Sequence, residues 1–126
     1  MINKIFKVPL YVDDQDAAKD FWINKMGFTL VREDKMMENF RWIEVAPKDD
    51  PNTTFILYDK NLMKSQNSNI NVGHPSIILY TNDIEKSNKD MKDKGIKVDE
   101  IMNYPYGRMF SFLDNEGNSY LVYCEK

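Results

Sequence analysis

The chain is poor in the residues that most often make bridges and bind metals: its 126 residues include one cysteine, Cys124, and one histidine, His74. A lone cysteine excludes an intrachain disulfide and any cysteine-rich metal knuckle, so a reducing compartment is the default. No charge of one sign prevails, since 17 basic residues face 20 acidic ones for a formal charge of −3. That balance leaves no electrostatic footprint for nucleic acid or an anionic membrane. Long apolar runs are missing too. In "MINKIFKVPLYV" Lys4 and Lys7 interrupt the apolar positions and Pro9 follows, so there is neither a signal-peptide core nor the run of roughly twenty apolar residues that spans a bilayer. The expectation is a cytoplasmic, water-soluble protein with no nucleic-acid or membrane partner.

What is present is a repeat. "LYVDDQDAAKDFWINKMGF" (Leu10–Phe28) lies over "LYTNDIEKSNKDMKDKGI" (Leu79–Ile96), matching Leu-Tyr, a β-branched residue, an Asp or Asn followed by Asp, a helical run and a glycine. In each copy a strand, about 5–12 and 76–81, runs into a helix start. Asp13 with Asp16, and Asn82 with Glu85, have capping-box spacing. Ala18, Phe21, Trp22 and Met26 form the apolar side of the first helix, and Ile84, Ser87 and Met91 that of the second. Gly27 and Gly95 occupy the C′ position of each. Three strand-like segments follow each glycine: "FTLVRED", "NFRWIEVAP" and "TTFILYD", then "IKVDEIM", "GRMFSFL" and "SYLVYCE". The expected fold is α+β, one domain of two tandem βαβββ modules, about 1–60 and 74–126. The polar segment 60–75 joins them, and the two sheets curve as one around a cleft.

The order of these elements, the motif "YxxDxxxAxxFW…GF" from Tyr11, the turn "PYGRMFSFLDNEGN" (Pro105–Asn118) and the closing "SYLVY" resemble the vicinal oxygen chelate superfamily. It includes glyoxalase I, extradiol dioxygenases and the fosfomycin- and bleomycin-resistance proteins. The resemblance implies a metal site drawn from the first and last strand of each module, commonly His or Glu. Carried over, those positions are Lys7, Ser76, Leu121 and either Ile56 or Leu57. Lysine is cationic, leucine and isoleucine have no donor atom, and a single serine hydroxyl is weak, so no metal and no cofactor is expected. His74, between Gly73 and Pro75, reads as a solvated turn residue, and Cys124 as packing.

The candidate ligand-binding residues are Lys7, Trp42, Glu44, Tyr58, Ser76, Tyr106, Arg108, Phe110, Leu121 and Tyr123; none is assigned a catalytic role. Lys7 either pairs with an acid of the protein such as Glu44 or meets an anionic ligand group, as Arg108 would. The tyrosines and Trp42 offer stacking faces. Lys86, Lys89, Lys92, Lys94 and Lys97, interleaved with acids at helical spacing, read as a solvated helix face. Three functions follow from the resemblance. The first is a metal-free homodimer that sequesters an unidentified small aromatic or amphipathic molecule. The second is an enzyme of the lyase or dioxygenase kind with shifted ligands, or with Lys7 or a tyrosine as acid or base. The third is a regulatory or scaffolding module with a vestigial cleft.

Overall fold

The computed structural model describes residues 1–125, which fall into two compact units, Met1–His74 and the described residues from Pro75 on. The first unit contains β1 (Lys7–Val12), α1 (Gln15–Asp20) continuing into a π-helical turn (Phe21–Lys25), β2 (Thr29–Met37), β3 (Phe40–Ala46), β4 (Thr54–Asp59) and α2 (Lys60–Gln66). The second contains β5 (Ile78–Tyr80), α3 (Ile84–Asp93), β6 (Met102–Tyr104), β7 (Gly107–Leu113) and β8 (Ser119–Glu125). Each unit builds a four-stranded mixed sheet. The strand orders are β1-β4-β3-β2 and β5-β8-β7-β6, and the first and last strands of each unit pair in parallel.

Both helices start one residue later than the capping-box spacing predicts. Asp14 Oδ1 accepts from the Ala17 amide at 3.0 Å, and Asp83 Oδ1 from the Lys86 amide at 3.1 Å. These are the second acids of the repeated Asp/Asn-Asp pairs, and each leaves the extended backbone of an N-cap residue. The first helix then widens. Met26 N bonds Phe21 O and Phe28 N bonds Trp22 O, and this broader turn buries two adjacent aromatics, Phe21 and Trp22, together with Ala18. Trp22 packs edge-on against Phe55 at 5.2 Å and against Phe28 at 4.9 Å, which seats the helix on β4. Gly27 and Gly95, with φ of +74° and +80°, end the two helical runs in the left-handed region.

Three further expectations need correction. The segment 60–75 is not all connection, because Asp59 caps the Leu62 amide at 3.0 Å and starts α2. Ser76 lies before β5, which spans only Ile78–Tyr80. "IKVDEIM" forms one bridge, Val98 to Phe112, before pairing resumes at Met102. The Lys-rich helix face holds for Lys86, Lys89 and Lys92, with Lys86–Asp90 and Lys89–Asp93 pairs on the exposed side of α3, whereas Lys94 is the C-cap and Lys97 lies beyond Gly95.

The "DNEGN" turn joins β7 to β8 through Asp114. Its carboxylate accepts the amides of Glu116 and Asn118 at 2.8 and 3.0 Å, the Asn118 side chain at 3.3 Å and the Tyr120 hydroxyl at 2.8 Å. Gly117 takes a φ of +83° within that turn. Burial pushes the Tyr120 hydroxyl far above its ordinary pKa, and the Asp114 charge adds to the shift. Tyr120 therefore serves as a fixed donor, stacked on Phe112 with ring centroids 5.0 Å apart. Asp114→Ala removes the acceptor for all four donors and should cost about 2–3 kcal/mol, the range expected when a buried polar group loses its partner. Tyr120→Phe added to it should cost less than the two single losses combined, because both changes remove the same bond. Urea unfolding of the three variants measures this, and strict additivity would contradict the hub role of Asp114.

Candidate functional site

Alternation along the strands sorts each sheet into two faces, because paired residues point the same way and successive ones point oppositely. In the first unit the registers Lys7–Thr54, Pro9–Ile56 and Tyr11–Tyr58 join β1 to β4. Glu44 pairs with Ile56 across β3 and β4, and Arg32 and Asp34 of β2 lie opposite Glu44 and Trp42. One face therefore carries Lys7, Tyr11, Arg32, Phe40, Trp42, Glu44, Thr54, Ile56 and Tyr58. The opposite face, with Leu10, Val12, Ile43, Val45, Phe55 and Leu57, is the buried core against the helix. This parity settles which residue of "TTFILYD" stands at the family's position. It is Ile56, on the face of Lys7, while Leu57 points into the core.

The centre of that face is Glu44, a carboxylate only 1% exposed. Its Oε2 accepts from Lys7 Nζ at 2.6 Å and from Thr54 Oγ1 at 2.9 Å, and its Oε1 accepts from Trp42 Nε1 at 2.6 Å. Of the two partners read from the sequence for Lys7, the structure shows the protein's own acid. Burial by itself opposes the charge on Glu44. The bonds from Lys7, Trp42 and Thr54, with the positive charge of Lys7, outweigh it and hold the carboxyl below its usual value. Phe6 places its ring 3.9 Å from Lys7 Nζ, so the ammonium lies between a carboxylate and an aromatic face.

Beside this network the rings gather. Tyr58 meets Tyr11 at 5.8 Å, Phe40 at 5.5 Å and Trp42 at 6.4 Å, and Phe40 meets Trp42 at 6.2 Å. The Tyr58 hydroxyl donates to Gln66 Oε1 of α2 at 2.5 Å. Burial raises its pKa, with the bond to Gln66 opposing and Tyr11 adding. β3 and β4 separate beside these rings, and the Gln15 side chain bridges the gap, donating to Arg41 O at 2.9 Å and Leu57 O at 2.8 Å. Phe40, Trp42 and Tyr11 are only half-buried, so ring surface remains open to a ligand.

The second unit repeats the plan with different chemistry. Its open face carries Ile78, Tyr80, Met109, Ser111, Leu121 and Tyr123, placed by the β5–β8 and β7–β8 registers. Tyr123 lies across Gly107, where a Cβ would stand 2.5 Å from its hydroxyl, and it donates to Tyr106 O at 3.0 Å. Tyr106, on the turn, stacks on Tyr104 with centroids 5.4 Å apart. Three candidates do not join this face. Phe110 has the opposite parity and is 1% exposed in the core under α3. Arg108 shares that parity and turns to α3, bonding Glu85 at 2.5 Å and Asn103 at 2.8 Å. Ser76 is exposed and outside the strand.

At the four positions the resemblance assigns to metal ligands, then, the first unit offers Lys7 and Ile56, and the second Ser76 and Leu121. An ammonium and two aliphatic side chains cannot coordinate a cation, and the neighbouring Glu44 already accepts from three protein donors. Among the described residues no group of three or more His, Cys, Asp or Glu is placed to hold a metal ion. The residues present do not fit the metal that the resemblance implies.

Residues 2–120 match the family described as the Glyoxalase/Bleomycin resistance protein/Dioxygenase superfamily. The chain belongs to that superfamily. It is similar to YetH of Bacillus subtilis (strain 168), an uncharacterized protein, at 33% identity over 97% of this chain and 98% of the relative. It is similar in structure to TnmS3, an antibiotic binding protein from Streptomyces sp. CB03234. There the TM-score is 0.82 and the identity 27%, over 99% of this chain and 98% of the other. A lactoylglutathione lyase from Agrobacterium tumefaciens shares the fold, with a TM-score of 0.75 at 20% identity over 98% and 95% of the two chains.

Tyr11, Thr54 and Phe40 share this face with Lys7, Trp42, Glu44 and Tyr58, and none of the three is among the candidate ligand-binding residues. Tyr11 was legible as the residue two alternations beyond Lys7. Thr54 becomes visible only through the β1–β4 register, which the sequence does not print.

The network sets a pH dependence. Glu44 is held ionised below its ordinary range, so its contribution to stability is complete above the unfolded-state carboxyl value of about 4.3 and fades as pH falls through the lower folded-state value. The free-energy difference between the wild type and Glu44→Gln should therefore be constant from pH 7 to about 5 and shrink below about 4. Lys7→Met strands the carboxylate and should cost about 2–4 kcal/mol at pH 7, somewhat under the range for a wholly buried pair because Lys7 keeps 23% of its side chain exposed. Urea titrations at stepped pH measure both. A wild-type-to-variant difference that grows toward acid would contradict the assignment.

Proposed function

We propose that this protein binds a small, flat, aromatic or amphipathic molecule without a metal, as a homodimer, in the manner of a sequestering protein rather than an enzyme. The observation that carries this reading is Glu44. This carboxylate, paired with Ile56 across β3 and β4, is engaged by Lys7, Trp42 and Thr54, and its bond to Nε1 fixes the Trp42 indole as a stacking plate. Rings held by a rigid strand lose little conformational entropy on binding, which favours planar ligands. The 27% identity to a protein described as antibiotic binding supports the same class of partner.

Two groups that acid or base chemistry could use have protein partners: Lys7 bonds Glu44, and the Tyr58 hydroxyl donates to Gln66. A second copy of the chain is the expected cover for apolar side chains of the second unit such as Ile78, 68% exposed, and Tyr80, 63% exposed.

N-phenyl-1-naphthylamine, a neutral fluorescent probe, should bind with a Kd in the micromolar range, and Trp42→Ala should weaken it roughly tenfold, about 1.4 kcal/mol and within the range for a lost aromatic contact. Elemental analysis after gentle purification should find no stoichiometric zinc, manganese, iron or nickel, and light scattering should give twice the chain mass. Probe binding indifferent to Trp42, or a stoichiometric metal, would overturn the reading.

A further inference from the structure

The charges on the aromatic face of the first unit cancel in pairs. Lys7 Nζ lies 2.6 Å from Glu44 Oε2, with the Phe6 ring 3.9 Å from the same ammonium. Arg32 bonds Asp34 and places its guanidinium 5.9 Å from the centre of the Trp42 ring. Phe6 is 54% exposed and belongs to the N-terminal stretch ahead of β1, where Lys4 also approaches its ring at 4.9 Å. Arg108 adds no cation to the corresponding part of the second unit, since it turns to Glu85 on α3.

An anionic group arriving at Lys7 would meet the Glu44 carboxylate in the position it needs. To bond the ammonium it would have to displace a carboxylate that is 1% exposed and leave that charge with Trp42 and Thr54 alone. The alternative is to sit beside Glu44 as a second like charge. Both are unfavourable in a poorly solvated site. A neutral flat molecule meets neither penalty, and the Trp42, Phe40 and Tyr11 rings remain available to it.

We propose that Glu44 is a built-in counter-anion that makes this face select neutral over anionic aromatic ligands. The proposal rests on the reading of the face as the ligand site, and it replaces the expectation that Lys7 or Arg108 meets an anionic group.

Two probes separate the cases. N-phenyl-1-naphthylamine and 1-anilinonaphthalene-8-sulfonate share their ring systems and differ by the sulfonate. Their affinities are measured by fluorescence titration at pH 7 and low salt for the wild type, Glu44→Gln, and the double variant Lys7→Met with Glu44→Gln, each checked for folding by near-ultraviolet circular dichroism. The wild type should prefer the neutral probe. Glu44→Gln uncovers the Lys7 charge and should move the ratio of affinities toward the sulfonate by tenfold or more, the scale of a charge-assisted hydrogen bond. The double variant carries neither charge and should return the ratio to within about threefold of the wild type, since a hydrogen bond to a charged group no longer distinguishes the probes.

A ratio unmoved by Glu44→Gln overturns the counter-anion. So does a wild type that binds the sulfonate at least as tightly as the neutral probe, a result that needs no variant to fold. Failure of every form to bind either probe instead removes the aromatic-ligand reading itself, and the selectivity with it.

Discussion

A carboxylate taken out of water must be given donors, and the first unit is arranged around that requirement. Glu44 draws Lys7 from β1, Thr54 from β4 and Trp42 from its own strand onto its two oxygens. These bonds tie three strands together on the face away from the helix and fix the tilt of the indole. The same three donors leave the carboxylate unfit as a metal ligand. Removing any one donor leaves a buried charge less well satisfied, so the network is expected to lose stability as a unit rather than bond by bond.

The two units show how far a duplicated plan can diverge. The matched registers Leu10–Leu57 and Leu79–Val122 make Glu44 the counterpart of Ser111, Trp42 that of Met109 and Lys7 that of Ser76. The core-facing residues keep their character, with Ile43 and Val45 matched by Phe110 and Phe112, all buried. The open faces do not. One carries a charge-compensated aromatic cluster, the other methionine, serine and aliphatic side chains beside Tyr123. Packing against a helix demands apolar side chains of both cores, whereas the open faces carry no such common requirement.

Much of this architecture was legible in the sequence, because repeated helix starts, C′ glycines and period-two strands are local signals. The duplication and the βαβββ order followed from them, and the superfamily from the resemblance of "YxxDxxxAxxFW…GF", "PYGRMFSFLDNEGN" and "SYLVY" to its motifs. The missed features depend on register. Arg108 and Phe110 look like site residues in "GRMFSFL" because they flank an aromatic strand, but one step of alternation turns both toward α3. The reverse holds for Thr54, which reads as an ordinary strand residue until β1 is laid beside β4. The caps shifted by one residue because two adjacent capping side chains, Asp13 and Asp14 or Asn82 and Asp83, compete for each N-cap, and spacing alone does not choose between them. The start of α2 was hidden in a segment whose asparagines suggested a loop throughout.

The central claim is that Glu44 is ionised and held by three donors within the fold. Carboxyl carbon-13 titration by NMR, with the Trp42 indole proton followed in the same samples, tests it directly. The account predicts that the Glu44 carboxyl titrates below the ordinary glutamate value and that the indole signal of Trp42 shifts with the same midpoint. A Glu44 midpoint at or above the ordinary glutamate value, or an indole signal indifferent to it, would contradict the account.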